Sequence, residues 1–231
     1  MVSYPLARAA TMQVPASLKG LKPGEISLVV LGRVVMGDIA VTLVDLAQRD
    51  LLRVEEADDG ADWLLSPLHG VPARRATAGY EARMLDQLAG RGQVVRLSSL
   101  AADLGQDLGK VRRALEHEVV AQGWVRRLRH GQRTPKGEEL ARHVRSFQRE
   151  LRKFKSDRGE AAVGGMLLPY ALRFGFLSGG QPPLARFARD WVRTFGDLPG
   201  WRPAQPARPV YDTYGPVFPE ADAPPGWASV P

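Results

Sequence analysis

The chain has 231 residues, 32 Lys or Arg against 25 Asp or Glu, a net charge of +7 and no cysteine. That length suits one large domain or two small ones with a real core. The lack of cysteine excludes disulfides, Cys-ligated zinc, iron–sulfur clusters and thiol catalysis, and it fits a reducing cytoplasm.

The positive excess is local. Residues 108–158 hold 15 basic and 6 acidic side chains, a balance of +9, while the rest of the chain stands at −2. Such a patch is the footprint of an anionic partner, a nucleic acid or a membrane surface. Arg outnumbers Lys 26 to 6, so codon bias on solvated faces is the competing account. The first 20 residues lack the apolar core of a signal peptide. The most apolar window, 161–177, is interrupted by Gly164, Gly165, Pro169 and Arg173, short of what a spanning helix needs. The expectation is a cytoplasmic chain with no integral membrane segment.

Residues 1–21 read as an irregular arm. Pro23 opens a short helix, PGEISLVVLG, that Gly32 ends. Asp38 is the expected N-cap of a helix over 39–49, whose Ile39, Ala40, Leu43, Val44, Leu46 and Ala47 share one face. A hairpin follows, 51–56 and 62–66, around Ala57-Asp58-Asp59-Gly60. Helix, helix and hairpin over 22–70 form the outline of a winged-helix unit. The polar, basic stretch 67–78 is read as a linker.

A second unit is expected over 79–135. It comprises an amphipathic helix 80–90 with Met84, Leu85 and Leu88 inward, a strand 94–97 and a helix 100–104. Gly105 is the expected turn before a helix over 108–122, with Val111, Leu115, Val119 and Val120 apolar. A wing starts at Trp124. The run LSSLAADLGQDLGKVRRALEHEVVAQGWV has the residue logic of a helix-turn-helix. The fold class is therefore mainly α with small β-hairpins (α+β), tandem winged-helix units plus a helical extension.

The extension covers 136–198. Its long helix, about 136–155, spaces Leu140, Val144, Phe147, Leu151 and Phe154 as an apolar seam. Core packing is the favoured use of that seam, with homodimerisation as the alternative. Residues 160–178 are expected to be helical and kinked at Pro169, and 184–195 to form an amphipathic helix. The 33 residues 199–231 hold 9 of the 18 prolines and read as an extended tail.

In chain order, GEISLVVLGRVVMGDIAVTLVDLAQRDLLRVEE, TPKGEELARHVRSFQRELRKF, LLPYALRFGF and FARDWVRTFGDLPGW carry a resemblance. Over about 22–201 the chain resembles the cytoplasmic C-terminal half of the bacterial domain-of-unknown-function family numbered 2207, predicted membrane proteins whose membrane segments have no counterpart here. The resemblance implies a fold and no activity. The first segment alone is also similar to the Golgi-phosphoprotein-3-like fold, which implies peripheral binding of anionic lipid as a minor reading.

The search for chemistry is negative. No GxSxG elbow and no HExxH occur. Gly105–Lys110 is one residue short of a phosphate loop and sits inside the helix-turn-helix. His69, His117, His130 and His143 are scattered, so no metal, cofactor or enzymatic activity is expected. The candidate site is the third helix of the second unit, where Gln106, Lys110, Arg113 and His117 fall on the exposed side. Arg126, Arg127, Arg129 and Arg133 of the wing would add phosphate contacts. Arg142, Arg145, Arg149 and Arg152 form a further stripe that is either a polyanion surface or a solvated face. The expected function is DNA binding by a regulator-like protein. The alternative is a protein-docking adaptor that uses its winged-helix faces and tail.

Overall fold

The computed structural model describes residues 12–58, 60–68, 78–127, 132–176, 182–198 and 201. It is mainly helical with small antiparallel sheets. Among the described residues no helix is long and apolar enough to cross a membrane.

A 3-10 turn at Pro23–Glu25 leads into helix α1, Ile26–Leu31. Gly32 ends α1 in the left-handed region at φ 73°, where a side chain would be strained. Helix α2 spans Met36–Gln48. Asp38 therefore lies inside the first turn rather than ahead of it. It still caps, because its carboxylate accepts the free N–H of Val35 at 2.8 Å. Nearly every residue from Met36 to Leu46 is buried. The apolar face expected of α2 is thus a helix covered on all sides, packed against α7, Leu168–Arg173, and α8, Pro183–Phe195.

Strands β1, Leu52–Glu56, and β2, Trp63–Pro67, form the expected hairpin, with Val54 opposite Leu65. Strand β3, Val95–Arg96, then pairs antiparallel with β2, giving a three-stranded sheet in the order β1-β2-β3. Residues on both sides of the expected linker thus share one sheet. Most of that linker, 69–77, lies outside the described residues. Helix α8 packs on the sheet through Phe187, whose ring meets Trp63 edge-on at 5.6 Å. The Trp63 indole N–H donates to Asp190 at 2.9 Å.

Helix α3, Gly79–Ala89, precedes β3; α4, Leu97–Asp103, and α5, Gly105–Ala121, follow it. The turn between α4 and α5 is not made by Gly105, which is already helical. It consists of Leu104, fully buried in right-handed helical geometry, so packing of a leucine rather than glycine freedom sets the break. A two-stranded ribbon, β4 (Val125–Arg127) and β5 (Gln132–Arg133), leads to the long helix α6, Pro135–Arg158. Thr134 caps α6 by accepting the Gly137 N–H at 3.0 Å. In the seam of α6, Leu140, Val144, Phe147 and Leu151 are buried within the protein and Phe154 is half-buried, which assigns it to the core. Phe147 meets Tyr170 edge-on at 5.4 Å.

Pro169 does not kink a helix. Two 3-10 turns, Glu160–Ala162 and Gly165–Leu167, precede α7, and Pro169 sits in the first turn of α7, where its missing N–H costs nothing. The tail from 202 onward lies outside the described residues.

Two polar clusters are locked into this core. Asp38, fully buried, accepts from Ser27 and is paired with Arg173 Nε at 2.9 Å; Arg173 also donates to Ser27. Glu81, also fully buried, accepts from Lys22, from Arg49 at 2.7 Å and from the Ala78 N–H at 2.8 Å. The first cluster joins α1, α2 and α7. The second holds the start of α3 against α2 and the residues before α1.

Gly137 carries the ribbon's close approach to α6. A Cβ there would lie 1.9 Å from the carbonyl oxygen of Trp124, a backbone atom that cannot swing aside. Gly137→Ala is expected to destabilise the protein by about 1–3 kcal/mol, despite the better helix propensity of alanine. Urea denaturation of the two chains side by side measures it.

Candidate nucleic-acid interface

Helix α5 is built on a simple division of its surface. Leu108, Val111, Leu115 and Val119, spaced three, four and four, are at most 1 % exposed. They pack toward α3, whose Tyr80, Met84 and Leu88 are fully buried. On the opposite side Gln106, Lys110, Arg113 and His117 recur at four, three and four, and all are exposed. The expected row therefore exists as a continuous stripe.

Between that stripe and α3 runs an open groove of ≈ 520 Å³. Its walls include Arg83 from α3 and Lys110, Arg113 and His117 from α5, with Glu118 as the opposing acid. Arg83 was not among the expected site residues. Its only signal in the sequence is a polar position on an amphipathic helix. What makes it part of the groove is the packing of α3 on α5.

Local acids temper the cations. Lys110 Nζ and Arg91 both bind the Asp107 carboxylate at 2.8 Å, and these bonds hold its carboxyl below the usual range. On the far flank Arg112 lies 3.9 Å from Glu116 and 5.2 Å from the centre of the Trp201 ring.

The wing divides. Arg126 is exposed on β4. The side chain of Arg127, and Arg129 altogether, lie outside the described residues. Arg133 points back into the protein. Its guanidinium donates to the carbonyls of Val30 at 2.8 Å and Val29 at 3.3 Å, near the end of α1, and to Glu138 at 2.7 Å. These carbonyls sit at the negative end of the α1 dipole, which favours a cation there. Arg133 thus anchors the ribbon instead of facing a phosphate.

The α6 stripe is a separate surface, and none of its residues lines the groove. Arg142, Arg149 and Arg152 are exposed and Arg145 is half-buried. Arg152 lies 5.3 Å from the centre of the Phe176 ring. The six residues Gly105–Lys110 are all in the first turns of α5, so their backbone forms no phosphate-cradling loop. His69 and His130 lie outside the described residues, His117 is on the groove and His143 is on α6. Among the described residues no three His, Asp or Glu side chains are placed to hold a metal ion.

Comparison of the chain with family models, with curated proteins and with solved structures finds no match.

Behind the groove wall lies the Glu81 cluster, which fixes the first turn of α3. Its neighbour Glu25 is buried and accepts the Lys22 N–H at 2.8 Å. Burial pushes the Glu25 carboxyl up to about 7, with Glu81 and Glu118 adding to the rise and Lys22 opposing it. A carboxyl whose pKa is higher in the folded state binds its proton more tightly there. Its contribution to stability is therefore fully present below the unfolded value and is lost as pH rises through about 7. Glu25→Gln keeps an acceptor without the charge. It is expected to stabilise the protein relative to wild type by about 2–3 kcal/mol at pH 8.5, with the advantage gone near pH 4.5. Thermal melts of both chains across that range measure it.

Proposed function

We propose that the protein is a non-catalytic, cytoplasmic, tandem winged-helix protein that binds duplex DNA and acts as a regulator. In this reading α1, α2 and the β1–β2 hairpin are the first unit. Helix α3, strand β3, the helices α4 and α5 and the β4–β5 ribbon are the second. Helix α5 enters the major groove, and Lys110 and Arg113 contact guanine edges or phosphates. Arg126 adds a phosphate contact from the wing.

The observation that carries the reading is the uninterrupted polar stripe on α5, with Arg83, Lys110, Arg113 and His117 turned to one groove. The first unit supports a different role, since α2 is covered by α7 and α8 and has no face left for a nucleic acid. The adaptor reading requires an apolar docking patch on the same face. Among the described residues the exposed large apolar side chains are Leu31, Leu68, Val94 and Met166, none of them on α5.

The test is a titration of the protein against duplex DNA by fluorescence anisotropy, at low and near-physiological salt. Micromolar or tighter binding that weakens with salt is expected. A Lys110→Ala/Arg113→Ala variant is expected to bind at least about tenfold more weakly. Its slope of log K against log salt should be shallower by about 2, one phosphate contact per cation. Absence of binding at low salt would sink the DNA reading in favour of a protein partner. A second variant acts in the opposite direction. Asp107→Asn removes the charge that holds Lys110, and the same titration is expected to show about two- to fivefold tighter binding.

A further inference from the structure

Where the chain leaves the described fold bears directly on the α5 face. Leu198 packs against the start of α5, its two methyls 3.7 and 3.8 Å from the place a Gly105 Cβ would occupy. Trp201 donates its N–H to the Leu198 carbonyl at 3.0 Å, is only 8 % exposed, and lies under the Arg112 guanidinium. Leu198 and Trp201 are thus both pinned to one flank of α5. At 100° per residue, Gly105 and Arg112 lie roughly 120° around the helix from the centre of the exposed stripe. That is an arc of about 12 Å, which four extended residues span.

The chain that continues from this point has a matching character. After Arg208 it contains Asp212, Glu220 and Asp222 and not one Lys or Arg. Tyr211, Tyr214 and Phe218 are interleaved with Pro209, Pro216 and Pro219. Tyr211 is ten residues beyond Trp201, a reach of up to about 33 Å. Aromatic rings suit the faces of Arg83 and Arg113, and carboxylates suit Lys110 and Arg113. Proline lowers the conformational entropy lost on docking. Because the segment is tethered to the same helix, on the flank across the stripe from the groove, its effective concentration is on the order of millimolar, so even a weak contact is populated.

We propose that the α5 face is a docking surface for the protein's own segment 209–223, which seats across Lys110, Arg113 and His117 and toward Arg83. The segment then competes with any other polyanion for this face. That consequence rests on the DNA reading of the same site; the contact itself does not.

The absence of native cysteine allows a clean test on the full chain. Thr213→Cys is labelled with a nitroxide, and amide signals are compared before and after its reduction. At low salt the amides of Gln106–His117 are expected to lose more than half their intensity. Those on the exposed face of α6 should lose little. Asp212→Asn/Glu220→Gln/Asp222→Asn in the labelled chain is expected to restore the α5 signals. Equal loss on α5 and α6, or loss confined to α6, would overturn the proposal.

A DNA titration of the unlabelled triple variant separates the two readings. Affinity about three- to tenfold tighter than wild type supports competition, and unchanged affinity would overturn it. If neither chain binds DNA, the DNA reading fails while the amide signals still decide the contact.

Discussion

The fold depends on a buried carboxylate. Asp38 has no exposure, and burial holds its pKa above the ordinary value against the pull of Arg173, Ser27 and the Val35 N–H. An isolated charge in that position would cost several kcal/mol. The cost is offset because the groups that satisfy it come from three places: Ser27 on α1, the start of α2, and Arg173 on α7. Residues 135 positions apart are thereby held to one register, and the C-terminal helices close over α2.

That closure distributes the surfaces. Helix α2 is consumed by the core. Helix α5 is packed on one side only, so its opposite stripe stays open beside α3. The Glu81 cluster does the equivalent work for α3, collecting Lys22, Arg49 and the Ala78 N–H around one buried carboxylate. The groove wall is held by polar contacts as well as by Tyr80, Met84 and Leu88.

The charge of the groove is a balance rather than a simple excess. Asp107 engages both Lys110 and Arg91, and Glu118 stands among the cations. On the proposed reading, polyanion binding here is strongly salt-dependent and without much affinity to spare. The proposed contact with an acidic segment tethered to the same helix matches that strength. The Arg stripe on α6 is a second basic surface on another element, with Arg152 drawn over Phe176.

Much of this protein was legible in its sequence because the relevant rules are local. Helical spacing of apolar residues marked α3, α5, α6 and α8, and the row from Gln106 to His117 followed from the same period. The turn residues after Glu56 marked the hairpin. Other features depend on which elements meet, and no local pattern encodes that. The addition of β3 to the hairpin sheet, the burial of α2 on every side and the arrival of Arg83 at the groove are of this kind. So is the turning of Arg133 toward the carbonyls of α1. Gly105 is helical because the buried Leu104 makes the break, whereas Pro169 takes its ordinary place in the first turn of α7, whose start no local pattern fixed. The sequence by itself determined the periodic faces and where the charge lies. Only the tertiary structure decided which faces were buried, because burial is a property of pairs of elements that the chain brings together from a distance.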